Sequence, residues 1–305
     1  MNHSKKPKVS IIILAYNAKS TLGEIFDEAI LSALKQSYSN VEVIVVDNGS
    51  TDDTFKYVMS KYSNYVKCVR FPKNYGYCLG NNLAVKYADR DSSYILFQNP
   101  DVILSQDYVE KLVEVLEKDS SVAAIQGLEI QPFTGKRRIG GSLNAIGYYY
   151  LYELLNHVNI QLCLETLFAF GAALLVRRRL FESVNGFSAK FFLYYDEADL
   201  GFKLRALGYR ILGCTSPSYQ HLVSGTVSKL NQLNPVIEYF NTKNRLRVVL
   251  RYFYGFFLAK FLILNLLVFI VHFLRRSAFH RRIALLAYYS ILRELNEIIR
   301  FRKCY

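Results

Sequence analysis

The first hundred residues alternate apolar runs with segments of helical spacing, and this alternation constrains the fold more than any other feature. The stretches 8–17, 41–54, 66–72 and 94–104 each contain a run of strand length rich in β-branched or aromatic residues. Segments with apolar residues three and four apart separate them, beginning with 20–37. This order predicts an α/β fold with a mostly parallel sheet and helices on both faces.

Polar side chains follow each of these predicted strands. They form four groups: Tyr16-Asn17, Asp47-Asn48, Asn74-Tyr75-Gly76 and Asn99-Pro100-Asp101. Because such sheets bind ligands at the carboxyl ends of their strands, the groups predict one shared site. No G-x-G-x-x-G follows the first strand, and no G-x-x-x-x-G-K-[ST] occurs anywhere in the sequence. The dinucleotide and P-loop interpretations therefore lose most of their support.

Positive charge is concentrated at the end of the chain. Of 38 Lys and Arg residues in 305, the segment 236–305 holds 13 against only 3 acidic residues. Its apolar stretch 255–274 contains one charge and has arginines on both sides. A nucleic-acid arm would interleave its charges with polar residues, whereas an apolar body with cationic flanks suits an anionic lipid surface. We therefore expect two regions, 1–235 and a helical, membrane-associated 236–305.

Both flanks of the apolar stretch are cationic, and positively charged flanks tend to stay on the cytoplasmic side of a membrane. A helix that spans the membrane would place one flank outside. We therefore favour a helix that lies in the membrane surface. A buried helix pair or a contact between copies of the chain is the alternative. The five cysteines are scattered and never spaced as C-x-x-C, which predicts neither a disulfide framework nor a zinc site. The first apolar run lacks a signal-peptide pattern, so a cytoplasmic location is expected.

Six motifs resemble a known family when taken together and in order. They are VSIIILAYN, VIVVDNGSTDDT, NYGYCLGNN, FQNPDV, FGAALLVRRRLFESVNGF and FFLYYDEADLGFKLRALGY. From residue 8 to about residue 225 the chain is similar to family 2 glycosyltransferases, and most of all to the rhamnosyl/galactofuranosyl-transferase-like branch. The resemblance implies a GT-A fold, which is Rossmann-like, and inverting transfer of a sugar from a nucleotide donor.

The resemblance also implies where the donor binds. Asp47 can accept hydrogen bonds from the base or ribose, and Tyr16 can stack on the base. The full predicted donor site consists of Ala15, Tyr16, Asn17, Asp47, Asn74, Gly76 and Asn99. The Asn99-Pro100-Asp101 sequence resembles this branch's form of the D-x-D metal motif, with His221 at the position that completes the metal shell. Asp101 and His221 are thus predicted to hold Mg²⁺ or Mn²⁺, which favour oxygen and imidazole ligands.

The segment 196–199 places three carboxylates in four positions behind an aromatic run. Acids in the first turn of a helix complement its dipole, which is the structural explanation. The resemblance implies that the second acid of the pair is the catalytic base, because inversion needs a carboxylate to remove the acceptor proton. That position is Glu197, and Asp196 is the second candidate, since relatives usually have Glu-Asp here. Asp199 is expected to fix the helix or an acceptor hydroxyl.

The sequence thus predicts an enzyme that moves one sugar to a glycan or lipid-linked acceptor at the cytoplasmic membrane face. A processive polysaccharide synthase is the first alternative, although the chain has no Trp and so lacks the Q-x-x-R-W motif of that class. A non-catalytic membrane or nucleic-acid binder on the same fold is the second. The oligomeric state stays open, with a homo-oligomer through the C-terminal helices as one arrangement.

Overall fold

The computed structural model of the chain describes residues 6–154, 162–222, 235–275 and 277–302. Its strands are β1 (Lys8–Ala15), β2 (Val41–Asp47), β3 (Lys67–Arg70), β4 (Ser92–Gln98), β5 (Val102–Leu104), β6 (Val122–Ile130), β7 (Arg137–Leu143), β8 (Tyr149–Glu153), β9 (Cys163–Thr166), β10 (Ala173–Arg177) and β11 (Arg210–His221). Its helices are α1 (Ala18–Leu22), α2 (Glu24–Leu34), α3 (Thr54–Tyr62), α4 (Gly76–Ala84), α5 (Tyr108–Lys118), α6 (Arg178–Ser183), α7 (Asp196–Ala206), α8 (Pro235–Tyr252), α9 (Gly255–Arg275) and α10 (Ala278–Arg302).

The sheet is parallel in its first half and mixed in its second. Strands β3, β2, β1 and β4 lie side by side and all run in the same direction, as predicted. Strand β10 then runs antiparallel to both β4 and β6, while β11 runs parallel to β6. Strands β5 and β9 pair antiparallel with β11, and β7 and β8 form a hairpin beside β6. The expectation of a mostly parallel sheet is therefore wrong for the second half.

The reversed strand β10 has a consequence for the site. Because β10 runs opposite to both of its neighbours, β6 and β11 point in the same direction as β1, β2 and β4. The carboxyl ends of these five strands consequently meet at one edge of the sheet. Ala15, Asp47, Gln98, Ile130 and His221 end them. Most of the predicted polar groups lie at or directly after these ends.

Two apolar layers cover the two faces of the sheet. Helices α2, α3 and α5 pack on one face, where Phe26, Val58 and Leu112 are buried. Helices α4, α6 and α7 pack on the other, and Val248 of α8 joins them there. Helices on both faces were predicted, and this part of the prediction is confirmed.

Two local expectations differ from the structure. The helical segment 20–37 is two helices, because Gly23 adopts φ 58° between α1 and α2. The sequence pattern loosens from about residue 131 to 165, where the Gly and Tyr content predicts loops. The structure instead has the β7–β8 hairpin and β9 there. Strand β7 pairs with the edge of β6, and β9 pairs with the edge of β11. The sequence of this segment has no apolar alternation that would predict these strands. Residues 155–161 lie outside the described part of the chain.

The absence of a disulfide was also a wrong prediction. Cys163 on β9 and Cys214 on β11 form a disulfide bond. The antiparallel register places the two residues directly opposite each other, although they are 51 positions apart in the sequence. Spacing along the chain therefore gave no sign of this pairing, which depends on the sheet.

The C-terminal helices pack on the preceding fold and on one another. Helix α8 is buried against the segment before α7, and α10 packs on α8 through an ion pair between Glu294 and Arg247. The outward faces of α9 and α10 carry exposed apolar side chains. Across the described residues, no helix combines the length and apolarity that crossing a bilayer requires. The division at residue 235 stays a prediction, and α8 begins at Pro235.

Candidate active site

The loops after β1 and β2 hold each other in place at the sheet edge. Asn17 has φ 50°, and its side-chain Oδ1 accepts a hydrogen bond from the Thr51 N–H at 2.9 Å. Its own N–H donates to Ser50 Oγ at 2.8 Å. The carbonyl of Ala15 accepts from the Asn48 N–H at 2.7 Å. Two residues of the predicted donor site, Ala15 and Asn17, therefore connect the loop after β1 to the loop after β2.

Asp47 is the buried carboxylate of this edge, with 2% of its surface exposed. Its Oδ1 accepts from the Ser50 N–H at 3.0 Å, and its Oδ2 lies 3.3 Å from Arg70 Nε. Within the described part of the chain, Oδ2 receives no hydrogen bond. Tyr16, by contrast, is 44% exposed beside it. A buried carboxylate oxygen that is ion-paired with Arg70 but receives no hydrogen bond, next to an exposed ring, is suited to a base or ribose.

Arg70 was not predicted, and it contributes a positive charge to the same edge. It lies opposite Asp47 in the β2–β3 register, and its guanidinium lies 5.3 Å from the Phe55 ring centre. A cavity of about 380 Å³ is lined by Gly49, Ser50, Arg70, Phe71 and Pro72. The only sequence sign of Arg70 was its position at the end of a predicted strand.

Asn74 and Gly76 shape the start of α4. Asn74 Oδ1 accepts from the Gly76 N–H at 2.8 Å and from Asn48 Nδ2 at 3.1 Å. Gly76 has φ 73°, and a Cβ there would lie 2.5 Å from the Phe192 ring. Both residues are thus placed at the edge as predicted, and their visible role is to fix the backbone of this loop.

Asp101 and His221 come together where β5 pairs with β11. Asp101 Oδ1 lies 3.5 Å from His221 Nε2, and the other ring nitrogen, Nδ1, lies 2.7 Å from Glu129 Oε1. Burial alone would lower the pKa of His221, but hydrogen bonds with Asp101 and Glu129 raise it to about 10. Asn99 sits beside this pair, with its N–H bonded to the Ala172 carbonyl at 2.9 Å. Glu129 was not predicted, because no motif surrounds it.

The Asp101–His221 pair fits a divalent ion that replaces the proton on His221 Nε2, because a metal-binding ring nitrogen is deprotonated. Two ligands at right angles around Mg²⁺ are about 3 Å apart, close to the separation of these two atoms. A carboxylate on the second ring nitrogen, as Glu129 provides, is the arrangement that orients a metal-binding histidine. In the described residues, no group of three or more His, Cys, Asp or Glu side chains forms a complete metal site. Substrate oxygens and water would therefore supply the remaining ligands.

The predicted acid pair opens helix α7. Asp196 is 5% exposed, and burial together with the Glu197 charge raises its pKa well above the usual range. Burial also raises the pKa of Glu197, while hydrogen bonds with Asp196 and Tyr149 oppose that rise. The pair therefore holds a proton more readily on Asp196 and leaves the charge on Glu197. This assignment favours Glu197 as the group that is ready to accept a proton.

Tyr149 is a neighbour of the acid pair that sequence reasoning missed. Its ring stacks on Tyr195 with centres 4.4 Å apart, and its hydroxyl accepts from the Tyr195 N–H at 2.6 Å. It comes from the β8 strand, inside the segment expected to be loops. Only the hairpin register brings it to α7.

Asp199 has a structural role. Its carboxylate accepts from Arg251 Nη1 at 2.8 Å and from the Tyr252 hydroxyl at 2.9 Å. Burial would raise its pKa, but Lys203 and Arg251 hold that pKa below the usual range. Asp199 is therefore an ionised anchor between α7 and α8, which agrees with the expectation that it fixes the helix.

The acid pair lies beside the loop of residues 74–76, which we call the donor loop. The Tyr77 N–H donates to the Phe192 carbonyl at 3.4 Å, and the Tyr77 hydroxyl donates to the Gly171 carbonyl at 2.7 Å. The charges of Asp196 and Glu197 add to burial in raising the Tyr77 pKa. The first turn of α4 thus joins the donor loop to the segment that leads into the acid pair.

Comparison with known proteins identifies the family. The model of Glycosyl transferase family 2 matches residues 10–184, more than half of the chain. The chain belongs to this family. The match includes Asp101 and the donor edge, by which we mean the strand-end residues Ala15 to Asn17, Asp47, Arg70 and Asn74 to Gly76. It ends before the acid pair. The prediction of a glycosyltransferase is thereby confirmed at the family level.

Curated relatives match over part of their length. An uncharacterized glycosyltransferase of Haemophilus influenzae is 33% identical over 121 residues, covering 39% of this chain and 36% of the relative. The O-antigen chain rhamnosyltransferase WbaN of Salmonella anatum is 26% identical over 219 residues, covering 70% and 66%. The Escherichia coli UDP-Glc:alpha-D-GlcNAc-diphosphoundecaprenol beta-1,3-glucosyltransferase WfaP is 39% identical over 97 residues, covering 30% and 35%. The chain spans between about a third and two thirds of these relatives.

Solved structures share the fold at low identity. GalNAc-T7 with UDP, GalNAc and Mn²⁺ superposes with a TM-score of 0.63 at 13% identity, covering 82% of this chain and 48% of that one. Staphylococcus aureus TarS 1-349 with UDP-GlcNAc gives a TM-score of 0.59 at 17% identity, covering 92% and 79%. These likenesses establish the GT-A-like α/β fold.

Proposed function

We propose that this family 2 glycosyltransferase moves one sugar, with inversion, from a nucleotide donor to a glycan or lipid-linked acceptor at the cytoplasmic membrane face. The observation that carries the proposal is the acid pair beside the donor loop, in which Asp196 is buried and Glu197 is half-buried. A carboxylate with a raised pKa in that position is suited to accept a hydroxyl proton during transfer.

The acid pair performs the proton transfer in this proposal. The acceptor hydroxyl oxygen forms a bond to the anomeric carbon, and its proton passes to Glu197. The bond from that carbon to the donor phosphate breaks, and its electron pair leaves with the nucleoside diphosphate. Asp196 keeps its own proton and hydrogen-bonds Glu197, so that the negative charge rests on the residue facing the acceptor. Tyr149 adds a second hydrogen bond to that charge.

The donor edge binds the leaving group. Asp47 accepts hydrogen bonds from the base or ribose, Tyr16 stacks on the base, and Arg70 brings positive charge to the same edge. Asp101 and His221 would hold Mg²⁺ or Mn²⁺, with Asn99 beside them. When bound, such an ion neutralises charge on the diphosphate. Mn²⁺ in the GalNAc-T7 structure supports this part of the proposal.

The names of relatives support the donor and acceptor classes. WbaN is a rhamnosyltransferase of an O-antigen chain, which supports the rhamnosyl/galactofuranosyl branch. WfaP acts on a sugar attached to diphosphoundecaprenol, which supports a lipid-linked acceptor. We infer that this chain takes a similar acceptor, whose lipid part lies in a membrane.

The C-terminal helices support attachment in the membrane plane. Helices α9 and α10 expose a broad apolar surface, with Phe256 74% and Leu292 67% exposed. Exposed cations accompany it: Lys260, Arg282, Arg293 and Arg300. An apolar face with a cationic border is the pattern that inserts into the interface of an anionic bilayer. The proposed occupant of this surface is therefore an anionic membrane.

A donor and metal screen tests the proposed function. Purified full-length protein is incubated with UDP-, GDP- and dTDP-sugars, Mg²⁺ or Mn²⁺ and a diphospholipid-linked sugar, while nucleotide release and product mass are measured. We expect release that depends on acceptor and metal, with one sugar added. Products with many added sugars would instead support the processive alternative. No release with any donor would contradict the proposal.

A further inference from the structure

Two consecutive tyrosines in a disfavoured backbone conformation lie directly before the acid pair. Tyr194 and Tyr195 both have φ 65°, in the left-handed region that bulky side chains rarely adopt. Outliers of this kind persist only where surrounding contacts hold them, and they are concentrated at active sites. The turn sets the direction in which Asp196 and Glu197 enter α7. Whatever holds the turn therefore also sets the acid pair.

A buried amide of α8 binds two carbonyls of this turn, in addition to the Tyr195 N–H bond to the Tyr149 hydroxyl. Asn244 is fully buried, and its Nδ2 donates to the Leu193 carbonyl at 2.8 Å and the Tyr194 carbonyl at 3.1 Å. Its Oδ1 accepts from Arg247 Nη1 at 2.8 Å, which fixes the orientation of the amide. Arg247 in turn donates to the Lys190 carbonyl at 3.0 Å. Each polar atom of the Asn244 side chain is thus committed to the turn or to its support.

The same helix holds the other neighbours of the acid pair. Arg245 Nη1 donates to the Ile146 carbonyl at 2.7 Å, and its guanidinium lies 4.4 Å from the Tyr148 ring centre. These contacts fix the turn that leads into Tyr149. Arg251 pairs with Asp199 on the far side of the acids. Helix α8 therefore contacts the backbone before the pair, the hairpin beside it and the anchor after it.

We propose that Asn244 is a positioning residue for the acid pair, acting by holding the Tyr194–Tyr195 turn in its left-handed conformation. The inference rests on the proposed function, because it takes the acid pair to be catalytic. Asn244 lies beyond the part of the chain that the family model matches. The C-terminal region is then part of the catalytic apparatus as well as a membrane attachment.

The test compares Asn244→Ala with Tyr239→Phe in the full chain. Tyr239→Phe removes a different α8 hydrogen bond, to Ser290 Oγ at 2.8 Å, that does not touch the turn. With the donor found in the screen, we expect Asn244→Ala to lower kcat by about 10- to 100-fold, because small displacements of a reacting group have effects of this size. The donor KM should stay unchanged. Tyr239→Phe should retain the original kcat.

The pH profile and a glycine rescue separate positioning from stability. A looser turn would expose the two carboxyl groups to water, which lowers the pKa of Glu197. The fall of kcat on the acidic side of the pH profile, its acidic limb, should therefore occur at lower pH. The other titratable groups that face the pair do not change charge on that limb. Burial raises the pKa values of Tyr77, Cys78, Tyr149, Tyr194 and Tyr195. Despite its burial, Lys203 and Arg251 lower the pKa of Asp199 and keep it ionised. Adding Tyr194→Gly to Asn244→Ala should restore part of kcat, since glycine adopts this conformation without strain.

Each outcome decides the inference. A folded Asn244→Ala with the original kcat and pH profile overturns it, as does a lower kcat with an unmoved limb and no rescue. If Asn244→Ala does not fold, Asn244→Ser keeps one donor hydroxyl and is read in the same way. Full activity of Glu197→Gln would instead overturn the base assignment of the proposed function. An inactive Glu197→Gln beside a fully active Asn244→Ala would remove only the role of Asn244.

Discussion

The donor edge differs in construction from the acid turn, by which we mean the Tyr194–Tyr195 turn and the acid pair that follows it. At the donor edge, neighbouring strand-end loops bond to each other, as Asn17 does with Thr51 and Asn48 with Asn74. The acid turn depends on partners from two other regions, Tyr149 in the hairpin and Asn244 in α8. The proposed donor-binding residues thus lie in compact motifs, whereas the direction of the proposed catalytic carboxylate depends on elements added around the sheet.

The largest effect should come from removing the base. Glu197→Gln should lower the transfer rate at least about 100-fold, the usual scale for loss of a general base. Donor binding, followed by calorimetry with UDP or the identified nucleotide, should not change, because the donor edge is intact. Glu182→Gln, a surface glutamate on α6, is the control. If Asp196→Asn loses the rate and Glu197→Gln keeps it, the base is Asp196.

Loss of the metal ligand should affect the donor edge instead. Asp101→Ala should lower turnover about 100-fold, since diphosphate charge is then poorly neutralised. Mn²⁺ binding, measured by electron paramagnetic resonance, should weaken in parallel, which Glu197→Gln should not cause. Excess chelator should stop the wild-type enzyme. Full turnover in chelator would show that basic side chains stabilise the leaving group.

The apolar surface of α9 should control attachment without changing the acid turn. Phe256→Asp with Phe257→Asp should reduce sedimentation with phosphatidylglycerol vesicles at least about 10-fold, because two large apolar side chains leave the interface. Phe133→Asp is a matched control, since Phe133 is also 74% exposed but lies in the β6–β7 loop. Unchanged sedimentation of the double variant would contradict the membrane proposal. Truncation after Pro235 is a poor test, because it removes Asn244 and Arg251 from the core.

A smaller effect should appear in the pH dependence. Glu197 accepts a proton only when ionised, and its pKa is raised, so kcat should fall with decreasing pH already above the ordinary glutamate value of about 4.3. The Tyr149 hydrogen bond lowers that pKa. Tyr149→Phe should therefore move the acidic limb to higher pH, and Tyr150→Phe, an exposed neighbour, should not. A limb that moves to lower pH would exclude this role for the tyrosine.

Sequence patterns predicted the features that depend on nearby residues. The alternation of strands and helices, the polar groups at strand ends and the acid cluster at the start of α7 all follow from local propensity and spacing. The antiparallel β10, the β7–β8 hairpin and the Cys163–Cys214 bond were missed, because each depends on which sheet edge a strand reaches. Local composition carries little information about such pairing.

The sequence by itself determined the family, the fold class of the first half and the identity of the charged groups at the site. Only the tertiary structure decided how those groups act on one another. Burial, the contacts of Glu129 and Tyr149, and the hold of Asn244 on a left-handed turn join residues far apart in the chain. These interactions arise when separate elements pack, so their strength depends on distances and solvent exclusion that no linear pattern contains.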